Sequence, residues 1–153
     1  MSYEVVDITG TAQYPKLFDF NRDPGAKKED GAPYDFPECT SIQLLLDQDE
    51  LTKISRANPN LKPRIKENGL EVKFRRKWND PIGKELGGEP VVKDSEGNPW
   101  DRNVMIGNGS KVRAAVQVYD TKFGKGMRLL GVQVLELVEP DLPEQGSTPE
   151  LPF

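Results

Sequence analysis

The segment from Ile106 to Glu139, IGNGSKVRAAVQVYDTKFGKGMRLLGVQVLELVE, leaves the chain few choices of fold. Val112, Ala114, Val116 and Val118 are apolar, while Lys111, Arg113, Gln117 and Tyr119 between them are polar or amphipathic. Alternation with period two predicts a strand with one face on a core and the other toward solvent. The connection Asp120–Gly126 adds Lys122, Phe123 and Lys125, and Leu129–Val138 then reads as a strand that is apolar on both faces. Cations interleaved with aromatics on an exposed sheet face fit a nucleic-acid strand, whose phosphates pair with Lys and Arg and whose bases stack on rings. An ordinary solvated hairpin would carry the same pattern.

The net charge of −4 hides a division along the chain. Residues 1–50 hold eleven acids and four bases, and the last fifteen hold Glu139, Asp141, Glu144 and Glu150 with no base. Residues 62–77 hold seven bases against Glu67 and Glu71, and residues 111–128 hold five against Asp120. Without the last fifteen residues the body sums to zero, and two basic segments gathered within it mark a candidate polyanion face. Within the first, Leu70, Val72, Phe74 and Trp78 alternate with Glu71, Lys73, Arg75 and Lys77. That phase places Trp78 with Phe74 in the core, and Arg76 on the apolar side as a bulge or a frayed end. The three outward cations repeat roughly every 7 Å, close to the phosphate step of an extended single strand. An edge strand guarded by lysines is the competing explanation.

Other elements are shorter. Tyr3, Val5, Val6 and Ile8 begin an early strand, and Thr40–Leu46 is another. Asp47 or Asp49 caps a helix over Glu50–Ala57 that Asn58-Pro59 stops. Residues 21–38 form a long loop with Tyr34 and Phe36 inside it, and Pro63–Asn68 is irregular. Pro90–Lys93 is a short strand before the turn Ser95–Pro99 and Trp100. Gly107-Asn108-Gly109-Ser110-Lys111 lacks the spacing of a phosphate-binding loop and serves as a tight turn. Residues 140–153, PDLPEQGSTPELPF, predict a disordered acidic tail, whose closing Leu-Pro-Phe is a docking element for a partner.

Several functions are disfavoured. The chain has no histidine, hence no ordinary general base or imidazole ligand. Its lone cysteine, Cys39, excludes an internal disulfide and a cysteine-based zinc site. No apolar run reaches a membrane span and no signal pattern opens the chain, so a soluble cytoplasmic protein without cofactor or metal is expected. An enzyme built on Asp94, Glu96 and Asp101 would place its carboxylates in a turn, where acids are ordinarily solvated. A second alternative is an interaction or inhibitor protein whose acidic half binds a basic partner.

The run Pro90–Gly97, then Ile106–Val112, then the hairpin ending Val134–Val138 resembles the phage-encoded replicative single-stranded DNA-binding proteins. The resemblance is firmest over residues 90–139. It implies an all-β, five-stranded Greek-key OB-fold barrel over residues 1–139, with one short helix after the second main strand, long loops and an acidic tail over 140–153. It implies basic contacts from Lys111 and Arg113, and base stacking by Tyr119 with Phe123 behind it. It also implies that Phe153, with Glu150, Leu151 and Pro152, docks replication proteins such as DNA polymerase and competes with DNA for the groove. The four acids from Glu139 on are fewer than the family's tail often carries, and the closing residues look more like the tip of cellular bacterial single-strand binding proteins. The resulting expectation is a non-enzymatic, sequence-independent single-stranded DNA-binding protein of phage DNA replication, recombination and repair, with a homodimer left open. Lys73, Arg75, Lys77, Lys111, Arg113, Lys122, Lys125 and Arg128 would neutralise phosphates. Tyr119 and Phe123 would stack bases, with Tyr34, Phe36, Trp78 and Trp100 as further candidates.

Overall fold

A computed structural model describes residues 3–24, 26–27, 34–36, 38–67, 69–80, 83–122 and 124–139; of 26, 27 and 34–36 it describes the backbone. Residues 140–153 and Phe123 lie outside the described residues, and with them the predicted tail and the site residues Glu150, Leu151, Pro152 and Phe153.

The strands in chain order are β1 (Tyr3–Lys16), β2 (Ala26–Lys27), β3 (Tyr34–Phe36), β4 (Cys39–Leu46), β5 (Arg64–Lys66), β6 (Gly69–Lys77), β7 (Val91–Lys93), β8 (Lys111–Thr121) and β9 (Gly124–Glu136). The helix α1 (Gln48–Ala57) follows β4. Seven strands make one sheet in the order β5-β6-β4-β1-β8-β9-β7, and β2 pairs with β3 apart from it. All neighbours in the large sheet are antiparallel except β7 and β9, which run parallel. Five strands are long, as the sequence pattern implies, and the three-residue strands β5 and β7 extend the two edges.

Alternation fixes the inner face. Ile8 and Ala12 of β1, Ile42 and Leu44 of β4, Val72 and Phe74 of β6, and Val112, Ala114, Val116 and Val118 of β8 are all buried in one cluster. Burying the larger of these side chains stabilises by about 1.5–3 kcal/mol each. The helix closes one side of this core through Leu51, Ile54 and Ala57. It starts two residues earlier than its apolar pattern, because Asp47 accepts from the Glu50 amide at 2.9 Å and so ends the extended chain at the cap.

Four local expectations are corrected. β6 and β4 pair without a register shift from Cys39↔Lys77 to Leu46↔Leu70, so Arg76 marks neither a bulge nor a frayed end. It is buried, and its guanidinium donates to Leu129 O at 3.1 Å and Glu85 O at 2.7 Å. β9 is not covered on both faces: Leu129, Val132 and Val134 are buried, whereas Leu130, Gly131 and Leu135 are only half-buried. Register shifts between Ala115 and Val116 and between Lys111 and Val112 place two extra residues, Leu130 and Leu135, in β9, and these bulges account for the near-continuous apolar run. Trp78 is half-buried and outside the core cluster. Arg64–Lys66 forms an edge strand on β6 rather than irregular chain.

The Gly107–Ser110 turn ties three strands together. Gly109, at φ +94°, donates to Ala12 O at 2.8 Å, and Gly107 donates to Val138 O at 2.8 Å. The buried Ser110 hydroxyl bonds Gly107 O and accepts from the Val138 amide at 2.8 Å. The amides of Gly107, Gly109 and Ser110 are therefore already engaged by the protein's own carbonyls.

Candidate nucleic-acid interface

The outward face of β6 carries Lys73, Arg75 and Lys77 at alternate residues, a rise of about 6.6 Å per step. Opposite them on β4 stand Gln43, Ser41 and Cys39. Ser41 and Cys39 are small and buried, so the sheet surface beside the cations is a low floor. Burial, reinforced by the Asp23 carboxylate, pushes the Cys39 thiol above its ordinary pKa, while Arg75, Lys73 and Lys16 pull the other way. Asp23 is itself buried, held by paired backbone bonds to Cys39 of 2.8 and 2.9 Å, and its carboxylate lies 3.5 Å from the Lys73 ammonium.

The far wall comes from the hairpin of β8 and β9. Tyr119 pairs with Gly126, and its ring lies across that residue: a Cβ built on Gly126 would stand 2.7 Å from two ring carbons. The Arg128 guanidinium sits over the ring, 4.7 Å from its centroid. Asp80 Oδ2 and Gln117 Oε1 hold that guanidinium, the former at 3.3 Å. A cation held over a ring in this way fixes the ring's attitude. Between the walls runs a groove of about 280 Å³ lined by Cys39, Lys73, Arg75, Lys77, Asp80, Tyr119, Met127 and Arg128.

Thus the two basic segments, more than thirty residues apart in the chain, share one concave surface. Beneath it, burial and the neighbouring Arg128 charge draw the Arg76 guanidinium below its ordinary pKa, with Asp80 opposing.

Five of the expected site residues line this groove: Lys73, Arg75, Lys77, Tyr119 and Arg128. Lys122 is exposed in the hairpin turn and Lys125 pairs with Asp120 beside it. Lys111 and Arg113 stand at the opposite end of β8, Arg113 about 20 Å along the strand from Tyr119. Arg113 bonds Asp7 at 2.8 Å and faces a separate concavity of about 470 Å³ with Val91, Lys93, Ala115 and Gly131. Trp100 packs against the core, and its indole N–H donates to Val104 O at 3.0 Å. The side chains of Tyr34 and Phe36 lie outside the described residues, as does Phe123.

Lys16, Asp23, Asp80 and Met127 belong to this neighbourhood and escaped the sequence reading. Lys16 reaches it because a register shift in β1 between Gln13 and Lys16 sets it opposite Ser41. No hydrophobic pattern announces that shift; the Tyr14-Pro15 pair, with Tyr14 at φ +49°, is its sole trace in the chain.

Among the described residues no group of three or more His, Cys, Asp or Glu side chains could hold a metal ion, and no helix is long and apolar enough to cross a membrane. Asp94 accepts from the amides of Glu96 and Asn98, each at 2.9 Å, and Asp101 from that of Asn103 at 2.9 Å, so both shape turns.

No protein-family model matches the sequence, and no curated protein does. Solved structures do resemble it. The gp2.5 single-stranded DNA-binding protein encoded by bacteriophage T7 superposes with a TM-score of 0.54 at 18% identity, over 99% of this chain and 100% of that one. The single-stranded DNA-binding protein of bacteriophage Enc34 gives 0.51 at 19% identity, over 89% of this chain and 83% of that one. Its C-terminal truncation also gives 0.51 at 19%, over 90% and 88%. The chain therefore has the fold seen in single-stranded DNA-binding proteins of two phages.

Proposed function

We propose that this chain binds single-stranded DNA without sequence preference, along the groove between β6 and the β8–β9 hairpin. The observation that carries the reading is the meeting of Lys73, Arg75 and Lys77 with Tyr119 and Arg128 on one surface. Cations at the phosphate step beside a ring held by Arg128 meet the two needs of a single strand, charge neutralisation and base stacking. The names of the T7 and Enc34 proteins of like fold support it. In this reading the five long strands form an OB-type Greek-key barrel over residues 1–139. Arg76 supports closure, since it reaches from β6 to the Leu129 carbonyl of β9, joining the two ends of the order β6-β4-β1-β8-β9.

The same reading assigns the protein to phage DNA replication, recombination and repair, without catalysis. Residues 140–153 serve as an acidic tail whose Glu150, Leu151, Pro152 and Phe153 dock a replication protein such as the polymerase. Lys111, Arg113, Lys122 and Lys125 extend the cationic surface beyond the groove. Two tests apply. Anisotropy of a labelled dT oligomer, titrated at several salt concentrations with duplex DNA alongside, is expected to show tight binding that fades steeply with salt and little response to duplex. No binding at low salt would refute the function. Deleting residues 141–153 is expected to preserve or tighten DNA binding while abolishing capture by the polymerase; loss of DNA affinity would refute the tail assignment.

A further inference from the structure

Beyond the groove, at the end of β6, a second cavity of about 280 Å³ is lined by Trp78, Asn79, Asp80, Lys84, Gly87 and Gly88. It adjoins the groove, because Asp80 lines both. Its chemistry differs from that of a cationic floor. Trp78 gives a large aromatic surface, Asn79 an amide with donors and an acceptor, and Lys84 a cation at the rim.

The indole has a cation over its ring, and the Trp78 backbone is held on both sides. The Arg22 guanidinium lies 4.4 Å from its ring centroid. Glu38 anchors that guanidinium at 2.7 Å, and the Glu38 carbonyl accepts the Trp78 amide at 2.9 Å. Gly87 sits so close to the chain that a Cβ there would be 2.8 Å from Trp78 O, whereas Gly88 faces open space. Gly88 is fixed through its amide to Lys77 O and through its carbonyl to the Thr40 hydroxyl, each at 2.9 Å. These contacts fix the backbone of Trp78, Gly87 and Gly88 where it lines the cavity. Its volume falls just below the 300–1,000 Å³ of pockets for drug-sized ligands, the size for one planar ring system.

We infer that this cavity seats a single nucleobase of the strand leaving the groove, stacked on Trp78 with its edge toward Asn79. The inference rests on the proposed groove and extends it: Tyr119 and Trp78 become two stacking stations on opposite sides of Lys77 and Asp80. The Asp80 charge between them is offset by Arg128 at 3.3 Å, so a phosphate can pass.

The chain has two tryptophans, so Trp100→Phe leaves Trp78 as the sole indole reporter. Binding is followed independently by the anisotropy of a labelled oligomer, using dT and an abasic strand of equal length. Trp78 emission is expected to quench in step with dT binding and to stay unchanged with the abasic strand. Trp78→Ala is expected to weaken dT binding by about tenfold, within the range for loss of one stacked base, and to leave abasic affinity and the salt slope alone. Bound dT with unchanged Trp78 emission, or equal quenching by the abasic strand, overturns the base pocket and leaves the groove standing. Absence of any dT binding overturns the groove, and the pocket with it. The emission measurement keeps Trp78 in place, so it decides the matter even if Trp78→Ala fails to fold.

Discussion

Replacing Gly126 with alanine tests whether the ring of Tyr119, rather than charge alone, holds the strand. Gly126 faces Tyr119 across the β8–β9 ladder, and an added Cβ would fall 2.7 Å from two carbons of the tyrosine ring. Carbon atoms in good contact stand about 3.5–4.0 Å apart, so the ring must move by about 1 Å. Arg128 lies over the ring and is tied to Asp80 and Gln117, which blocks the simplest escape. Forcing the side chain off its rotamer costs about 0.5–1.5 kcal/mol, and alanine's strand preference over glycine, about 0.5–1 kcal/mol, offsets part of it. Thermal stability should thus change little. The stacking surface, by contrast, is lost or tilted, and one stacked base is worth about 1–3 kcal/mol. Affinity for a dT oligomer, measured by anisotropy at fixed salt, is expected to fall by about tenfold. No cation is removed, so the slope of log K against log salt should not move. Gly131→Ala is a matched control, since its Cβ would meet Val91 O at 3.0 Å on the far side of β9. Wild-type dT affinity in Gly126→Ala, or a loss accompanied by a flatter salt slope, would refute the reasoning.

Other outcomes follow from the same geometry. Lys77→Ala should reduce the salt slope by about 0.7, one phosphate on a single strand, whereas Arg113→Ala, paired with Asp7 outside the groove, should change it less; equal effects in salt titrations would shift the binding path toward β8. Arg76→Ala should lower stability by about 1–3 kcal/mol in urea titrations, because the buried bond to Leu129 O and the half-buried bond to Glu85 O both lose their donor; a loss below about 0.5 kcal/mol would mean water replaces it. Glu89 is held below its ordinary pKa, chiefly by hydrogen bonds from Arg102, and it also accepts the Asp19 amide at 2.7 Å. A lowered folded pKa means its stabilisation is present above about pH 4.3 and is lost as pH falls through the folded value. Glu89→Gln should therefore be less stable than wild type near neutral pH and converge with it in acid, and a constant difference in melts across that range would contradict the assignment.

The strands that build the interface were legible because each buries one face and exposes the other. Period two in Val112–Val118 and in Leu70–Lys77 determined two strands, their inner faces and the outward set Lys73, Arg75 and Lys77. The charge division located both walls of the groove, and Asn58-Pro59 marked the end of the helix, whereas its start was open between Asp47 and Asp49. These signals are local, carried by residues within one strand or one turn. What the sequence could not decide was which elements meet. The register of β4 against β6 put Cys39 and Ser41 beside the cations, and a shift in β1 brought Lys16 opposite Ser41. Arg76 looked misplaced because its partners, Leu129 O and Glu85 O, are backbone carbonyls that carry no residue signature. The Leu130 and Leu135 bulges were hidden for a related reason, since each inserted residue makes two alternating phases read as a near-continuous apolar run. Trp78 followed the core phase on β6, yet the strand ends at Lys77 and the indole turns to Arg22, fifty-six positions earlier in the chain. Periodicity speaks for a single element, whereas a groove is made by the packing of several, and only the tertiary structure supplies that distance information.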